Sequence, residues 1–246
     1  MADTTPPDDV PVRPAATVML VRDSDAGPEV FMLRRTTSAV FASGMYVYPG
    51  GKVDTADGEG EDAYLVAAVR ECYEEAGVLL VEEPDGSLIA DGHPALVHRE
   101  AVHDGTVNIH ALCDEHGLKM ATDRMAYVAH WITPKGESPR RFDTRFFLAV
   151  APPDQTSVHD DTETIASEWV RPADALQRSR DGQMGLMPPT TATLEFLAAF
   201  DTADDALAAG REIGTPPLIL PKVRFSDDGK IRGVAMPGDA DYDSLD

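Results

Sequence analysis

Apolar, β-prone runs alternate with turn clusters along most of this chain. The runs "AATVMLVR" at residues 15–22 and "VFMLRR" at residues 30–35 flank the turn cluster "DSDAGPE". This arrangement predicts two adjacent strands or a hairpin. Comparable runs predict five further strands: residues 45–48, "VLLVE" from residue 78, "AYVAHWIT" from residue 126, "RRFDTRFFLAV" from residue 140 and residues 168–170.

A helical period appears over residues 62–76. Four apolar residues recur there at helical spacing and predict one buried stripe: Leu65, Val69, Cys72 and Ala76. Gly77 is suited to cap the end of this helix. The segments "RPADALQRS" and "PPTTATLEFLAAF" predict two more helices, each with Pro near its start. Because strands and helices are interspersed, the sequence favours an α/β layered fold.

The chain divides into three predicted parts. Residues 1–14 are rich in Pro and Asp and are expected to form a disordered tail. Residues 15–210 are expected to form the main domain, with a helical insertion at about residues 83–124 that packs on the sheet. Residues 211–246 form a C-terminal extension, in which "LILPKVRF" and "GKIRGVAM" around "SDDG" predict a hairpin.

The net charge of the chain bears on which kinds of partner it can bind. The net charge of -22 argues against a nucleic-acid or anionic-membrane partner, because such partners require a strong basic patch. The sequence has no apolar run long enough to span a bilayer and no signal peptide, so a cytoplasmic location is expected. Two cysteines, Cys72 and Cys113, make no disulfide framework and are expected to be reduced core thiols.

The stretch "RECYEEAG" at residues 70–77 concentrates charge on the predicted helix. Glu71, Glu74 and Glu75 stand at positions i, i+3 and i+4, so they share a face away from the apolar stripe. Like charges at this spacing repel by a few tenths of a kcal/mol per pair on an isolated helix. The cluster therefore favours a cation above it, and a metal ion is the first candidate.

Gly50 and Gly51, followed by a loop and "RECYEEAGV", resemble the Nudix box, whose second half reads Arg-Glu-apolar-x-Glu-Glu-x-Gly-apolar. The resemblance implies a Nudix fold, a mixed β-sheet sandwiched between helices (α/β/α). The usual first half has five residues between its glycine and a glutamate eight positions before the arginine. Here the loop is longer by five residues. Three residues are candidates for the outer carboxylate, with Asp62 preferred: Glu59, Glu61 and Asp62.

The resemblance extends to the Nudix branch that includes peroxisomal coenzyme A diphosphatases with an interrupted box and their bacterial relatives. It covers residues 15–200, including "YVYPGGKVDTAD", "HDDTET" and "LMPPT". Coenzyme-A-cleaving members carry an upstream arginine signature. Arg35, Thr36 and Gly44 fit that signature loosely, and Val40 stands at its second arginine position.

By this resemblance, Glu71 and Glu75 are expected to bind Mg²⁺ or Mn²⁺ directly, with the Gly51 carbonyl near the metal. Glu74 is expected to be a ligand or the general base, and Arg70 to pair with a carboxylate. A further catalytic acid is expected from a downstream loop. Glu163 is the first choice there, followed by Asp160 and Asp161.

Several basic residues have two interpretations. Arg35, Arg141 and Arg145, together with Arg140, are candidates for binding substrate phosphates, because arginine forks suit such groups. Arg141 and Arg145 are equally well explained by surface ion pairs on one strand. Four histidines lack metal-ligand spacing and favour surface or hydrogen-bonding roles: His98, His103, His110 and His116.

The resemblance implies an enzyme, a Nudix pyrophosphohydrolase that hydrolyses a diphosphate linkage in a nucleoside diphosphate derivative. The preferred substrate is coenzyme A or acyl-CoA, giving 3',5'-ADP and 4'-phosphopantetheine. Two alternatives stay open: action on ADP-ribose, NADH or another nucleotide, and a catalytically silent nucleotide-sensing module. The expected partner is a small nucleotide, and the family leans towards a homodimer.

Overall fold

The computed structural model describes residues 10–36, 42–159 and 164–245. Its strands are numbered in chain order: β1 Val12–Ser24, β2 Gly27–Arg35, β3 Tyr46–Val47, β4 Gly50–Lys52, β5 Val81–Glu82, β6 Lys119–Met120, β7 Ala126–Ile132, β8 Arg141–Val150, β9 Thr164–Val170, β10 Leu218–Ile219, β11 Lys222–Phe225 and β12 Ile231–Ala235. Its helices are α1 Gly60–Ala76, α2 Arg99–His103, α3 Ile109–His116, α4 Pro172–Arg180, α5 Pro188–Leu197 and α6 Ala203–Ile213.

Within the described residues, eight strands form one mixed sheet. The main order is β10-β7-β8-β1-β2-β3, with β4 added beside β1 and β9 beside β2. Strand β1 lies at the centre: it runs parallel to β8 and antiparallel to β2 and β4. The predicted hairpin of β1 and β2 is confirmed, with a turn between Ser24 and Gly27.

Strand β1 begins earlier than expected. Residues 12–14 were assigned to a disordered tail, but Val12 pairs with Arg141 and the ladder continues without interruption to Val21 and Val150. The pairing with β8 satisfies the backbone groups of these residues, which orders them. The proposed tail boundary at residue 14 is therefore wrong for residues 12–14.

Helices cover both faces of the sheet. On one face, Ala16, Val18 and Leu20 of β1 join the core beneath α1. On the other face, Met19 and Val21 belong to a second core with residues of α4, α5 and α6. This alternation follows the two-residue period of a strand. The predicted α/β/α architecture is confirmed.

Helix α1 has the predicted apolar stripe. Val69, Cys72 and Ala76 are fully buried, and Leu65 packs at the edge of the same core. The helix begins at Gly60, two residues before the expected start, and ends at Gly77 in the left-handed region with φ of 72°. Burial raises the pKa of the Cys72 thiol to about 12, consistent with an inert core thiol.

The insertion packs against α1. Ala95, Val102 and Leu112 join the apolar core around α1. The Tyr73 hydroxyl on α1 donates a hydrogen bond of 2.9 Å to the Ala95 carbonyl. These insertion residues belong to the same apolar core as Ala16 and Val18 of β1, so the insertion adds to the core that α1 shares with the sheet.

Helix α6 was not predicted, and it crosses the boundary expected at residue 210. Thr202 caps its start by accepting a hydrogen bond from the Asp205 amide, and Ala206 and Leu207 are buried. After it, β10 extends the sheet along β7, and β11 and β12 form the predicted hairpin. In the described ranges no helix is long and apolar enough to cross a membrane.

Candidate active site

A cleft of about 690 Å³ opens where the first residues of β1 lie beside β4. Arg13, Ala15 and Thr17 of β1 line it, as expected for alternate residues on one face of a strand. Its other walls come from β4, the charged face of α1, the start of α5 and the C-terminal extension. Its size is in the range of cavities that bind small molecules.

The guanidinium of Arg70 organises the charged face of α1. It binds both carboxylate oxygens of Asp57, with Nε–Oδ1 at 2.8 Å and Nη2–Oδ2 at 2.9 Å. Its Nη1 donates to Glu71 at 2.9 Å and to Glu74 at 3.1 Å, and Nη2 donates to the Lys52 carbonyl at 2.8 Å. One cation thus fixes two glutamates of α1 against the loop that follows β4.

The outer carboxylate is Asp57, and none of the three predicted residues takes this place. The Asp57 side chain is fully buried against Arg70. Glu59, Glu61 and Asp62 are all exposed where α1 begins, and Glu61 forms an ion pair with Arg145. The preference for Asp62 is therefore wrong.

The two glycines of β4 bring the backbone close to the carboxylates. The Gly50 amide donates a hydrogen bond of 2.9 Å to Glu75. A Cβ atom on Gly51 would overlap the carboxylate of Glu71. Glycine is therefore the residue that lets β4 and α1 approach each other here, and it leaves Glu71 at the cleft surface.

Burial makes these carboxylates difficult to ionise together. It raises the pKa of Glu71, with the charge of Glu74 adding to the effect and Arg70 opposing it. Burial likewise raises the pKa of Glu74. A cation bound beside them would reverse this penalty, so the cluster is electrostatically suited to one.

The donor set fits Mg²⁺ or Mn²⁺, because Glu71, Glu74, Glu75 and the Gly51 carbonyl offer only oxygen atoms. Among the residues that the structure describes, no three acidic, histidine or cysteine side chains are already arranged to hold a metal ion. In this structure Arg70 donates to carboxylate oxygens of Glu71 and Glu74 that a metal would use.

His103 and Glu137 are among the polar cleft residues that were not predicted as site residues. His103 of α2 places Nδ1 3.6 Å from Oε2 of Glu74. Glu137 lines the cleft from the loop before β8, and burial raises its pKa. That loop lies against the C-terminal hairpin, since a Cβ atom on Gly136 would stand 2.9 Å from the Phe225 ring.

The predicted phosphate-binding arginines separate into two groups. Arg35 lines the cleft. Arg141 and Arg145 do not, because residues 142, 144 and 146 of β8 face the cleft and alternate residues point away. Arg141 donates to the Thr133 carbonyl at 2.9 Å, and Arg145 pairs with Glu61. The structure therefore places both side chains outside the lining of the cleft, bonded to other parts of the protein.

A family model described as the NUDT19 Nudix domain matches residues 59–197, more than half of the chain. The chain belongs to this family. It is thus a member of the Nudix hydrolases, as the sequence resemblance implied.

Two related proteins are similar in sequence to this chain. It is 29% identical to "Putative nudix hydrolase 7" of Caenorhabditis elegans, over 76% of this chain and 60% of the worm protein. It is 28% identical to the human "Acyl-coenzyme A diphosphatase NUDT19", over 73% of this chain and 51% of the human protein. The chain thus spans about half to three fifths of these two relatives.

The structure is similar to that of a Nudix hydrolase from Alicyclobacillus acidocaldarius. The TM-score is 0.73 at 28% sequence identity, and the match covers 81% of this chain and 97% of the other. The fold is therefore that of a known Nudix hydrolase.

The Nudix box of this chain also explains how Asp57 was missed. Five residues separate Gly51 from Asp57, as in the usual first half of the box. The extra five residues lie between Asp57 and Arg70. Counting forward from Gly51 finds this carboxylate, whereas counting back from Arg70 reaches Asp62.

Other expected site residues fall outside the described residues. These are the downstream acids Glu163, Asp160 and Asp161, and Val40 of the upstream signature. The catalytic role of Glu163 stays a prediction.

Proposed function

We propose that the chain hydrolyses the diphosphate linkage of a nucleoside diphosphate derivative with Mg²⁺ or Mn²⁺, and that coenzyme A or acyl-CoA is the substrate. The observation that carries the proposal is the buried carboxylate cluster of α1, held by Arg70 and open to a cleft of about 690 Å³. A cluster of this kind attracts cations, and cations attract phosphates.

The carboxylates of Glu71 and Glu75, with the Gly51 carbonyl, would hold the metal. When bound, it would polarise a phosphoryl oxygen and lower the pKa of a water molecule. Arg70 keeps Glu71 and Glu74 in fixed positions through its hydrogen bonds. The protein thereby supplies orientation, which phosphoryl transfer requires more than covalent chemistry.

The chemical step consumes one water molecule. The water oxygen forms a bond to one phosphorus, and the bond from that phosphorus to the bridging oxygen breaks. Glu74, which Arg70 holds in a fixed position beside Glu71, accepts the proton. The bridging oxygen leaves with the electron pair on the second phosphate, so the products are two phosphomonoesters.

The walls of the cleft support the choice of substrate. Five apolar residues are among those that line it: Trp131, Phe142, Phe146, Pro188 and Val234. An apolar wall of this kind suits an extended pantetheine or acyl arm. A chicken relative, 26% identical over 94% of this chain, is named "Acyl-coenzyme A diphosphatase NUDT19", which points to the same substrate class.

A substrate panel tests the proposal. Coenzyme A, acetyl-CoA, NADH, ADP-ribose, diadenosine polyphosphates and nucleoside triphosphates are incubated with Mg²⁺ or Mn²⁺, and the products are identified by mass. The expected result is 4'-phosphopantetheine and 3',5'-ADP at the highest kcat/KM. A higher value for ADP-ribose or NADH would overturn the substrate. Tight nucleotide binding without turnover of any compound would favour the sensor alternative.

A further inference from the structure

The cleft contains a second charged region outside the hydrogen-bonded network of Arg70 and the α1 carboxylates. Arg13 near the start of β1 and Arg140 just before β8 both line it. Arg13 pairs with Phe142 across these parallel strands, and Val12 pairs with Arg141. The two arginines therefore enter the cleft from neighbouring strands at the same end of the sheet.

These arginines differ from most others in the chain. Across the described ranges, neither side chain forms an ion pair or a hydrogen bond with the protein, and the only polar contact of Arg140 is from its backbone amide to Ser138. Other arginines pair with carboxylates: Arg22 with Glu29, Arg70 with Asp57, Arg124 with Glu82, Arg145 with Glu61, Arg171 with Asp174, Arg178 with Glu168 and Arg224 with Asp241.

A chain of net charge -22 offers many carboxylates to an arginine. Arg13 and Arg140 face the same cleft and neither is paired with a carboxylate in the described part of the chain, so the two guanidinium groups are suited to bind an anion from solution. Guanidinium forks match phosphate oxygens, and two of them would complement a phosphomonoester of nearly two negative charges.

The position fits a phosphate other than the diphosphate that is cleaved. Glu75 contacts the Gly50 amide, and Gly50 pairs with Thr17 of β1. Arg13 precedes Thr17 by four residues, about 13 Å along a strand. This distance is comparable to the combined length of a nucleoside and an arginine side chain.

We propose that Arg13 and Arg140 form a subsite for a phosphomonoester on the nucleoside of the substrate, separate from the diphosphate linkage. This inference rests on the proposed function, because coenzyme A carries such a group on its 3' oxygen. The subsite would make the enzyme prefer a 3'-phosphorylated nucleotide to the same nucleotide without that phosphate.

The test compares coenzyme A with 3'-dephospho-CoA as substrates of the full chain. The enzymes are the wild type, Arg13→Ala, Arg140→Ala and the double variant. Arg180→Ala is the matched control, since it removes the same charge from an exposed position on α4 whose partner is Gln177. Circular dichroism confirms that each variant is folded.

The wild type is expected to prefer coenzyme A by about tenfold to a hundredfold in kcat/KM, mainly through KM. The ratio should fall about tenfold in each single variant and approach one in the double variant, while Arg180→Ala keeps the wild-type ratio. Equal use of both substrates by the wild type, or a preference that survives in the double variant, overturns the subsite.

A binding measurement separates failure of the subsite from failure of the proposed function. If the wild type cleaves neither substrate, the proposed function fails, and calorimetry with 3',5'-ADP and 5'-AMP decides the subsite. Tighter binding of 3',5'-ADP that disappears in the double variant supports it. Equal binding of the two nucleotides by the wild type overturns it.

Discussion

The two ends of the cleft hold their charges in different ways. At the end formed by β4 and α1, Arg70, Asp57, Glu71 and Glu74 are bonded to one another and largely buried. At the other end, Arg13 and Arg140 are exposed. Buried charges held in fixed positions suit catalysis, because they need little reorganisation during the reaction. Exposed arginines suit selection of the ligand.

The largest expected effect is at the buried end. Glu74→Gln keeps the shape of the side chain and removes its capacity to accept a proton. We expect kcat for the best substrate to fall about 10²–10⁴-fold, the range for loss of a general base. Steady-state kinetics measures the effect, and Glu195→Gln on the exposed side of α5 is the control. Turnover close to wild type in Glu74→Gln would remove Glu74 from the mechanism.

The second effect concerns stability. Asp57→Asn leaves the buried Arg70 guanidinium without its bidentate carboxylate, so the free energy of unfolding should fall by about 3 kcal/mol. Asp62→Asn, at the exposed start of α1, should change it by less than about 0.5 kcal/mol. Urea denaturation of both variants measures the difference. An equal effect of the two substitutions would contradict the assignment of Asp57 as the outer carboxylate.

The adjacent glycines of β4 give a matched pair. Gly51→Ala pushes a flexible carboxylate, that of Glu71, so Mn²⁺ affinity should fall about tenfold while the fold is retained. Gly50→Ala meets the backbone of Ala16 and Thr17, so it should cost about 2 kcal/mol of stability. Calorimetric metal titration and thermal unfolding separate the two. Unchanged Mn²⁺ binding by Gly51→Ala would place the metal elsewhere.

The smallest expected effect lies outside the cleft. Arg145→Ala removes a surface ion pair with Glu61 and a cation–π contact, in which the guanidinium lies 3.8 Å from the centroid of the Tyr64 ring. Stability should fall by about 1 kcal/mol, and kcat/KM should stay within about twofold of wild type. A large rise in KM would show that Arg145 reaches the substrate after all.

Features set by residues close together in the sequence could be predicted, whereas features set by residues far apart in the sequence could not. Helix α1 and its stripe follow from local periodicity, and so would α6: Thr202 is a cap, and Ala203, Ala206 and Leu207 have helical spacing. The contact of His103 with Glu74 has no local signal, because it requires the insertion to fold over α1.

The arginines show the same limit. The alternation of β8 indicates that Arg141 and Arg145 share a face, but it does not say which face of the sheet forms the cleft. That choice depends on where α5 and the C-terminal hairpin pack. Arg13 was missed because residues 12–14 gain their strand structure by pairing with β8, which is distant in the sequence.

The proposed reaction is Mg²⁺-dependent hydrolysis of the diphosphate linkage of coenzyme A by the carboxylates of α1. The most direct measurement is the reaction of coenzyme A in H₂¹⁸O, with Mg²⁺ or with EDTA, analysed by mass. We expect one ¹⁸O atom in a single phosphomonoester product, formed only when Mg²⁺ is present. Intact coenzyme A at saturating Mg²⁺, or the same products with EDTA, would contradict it.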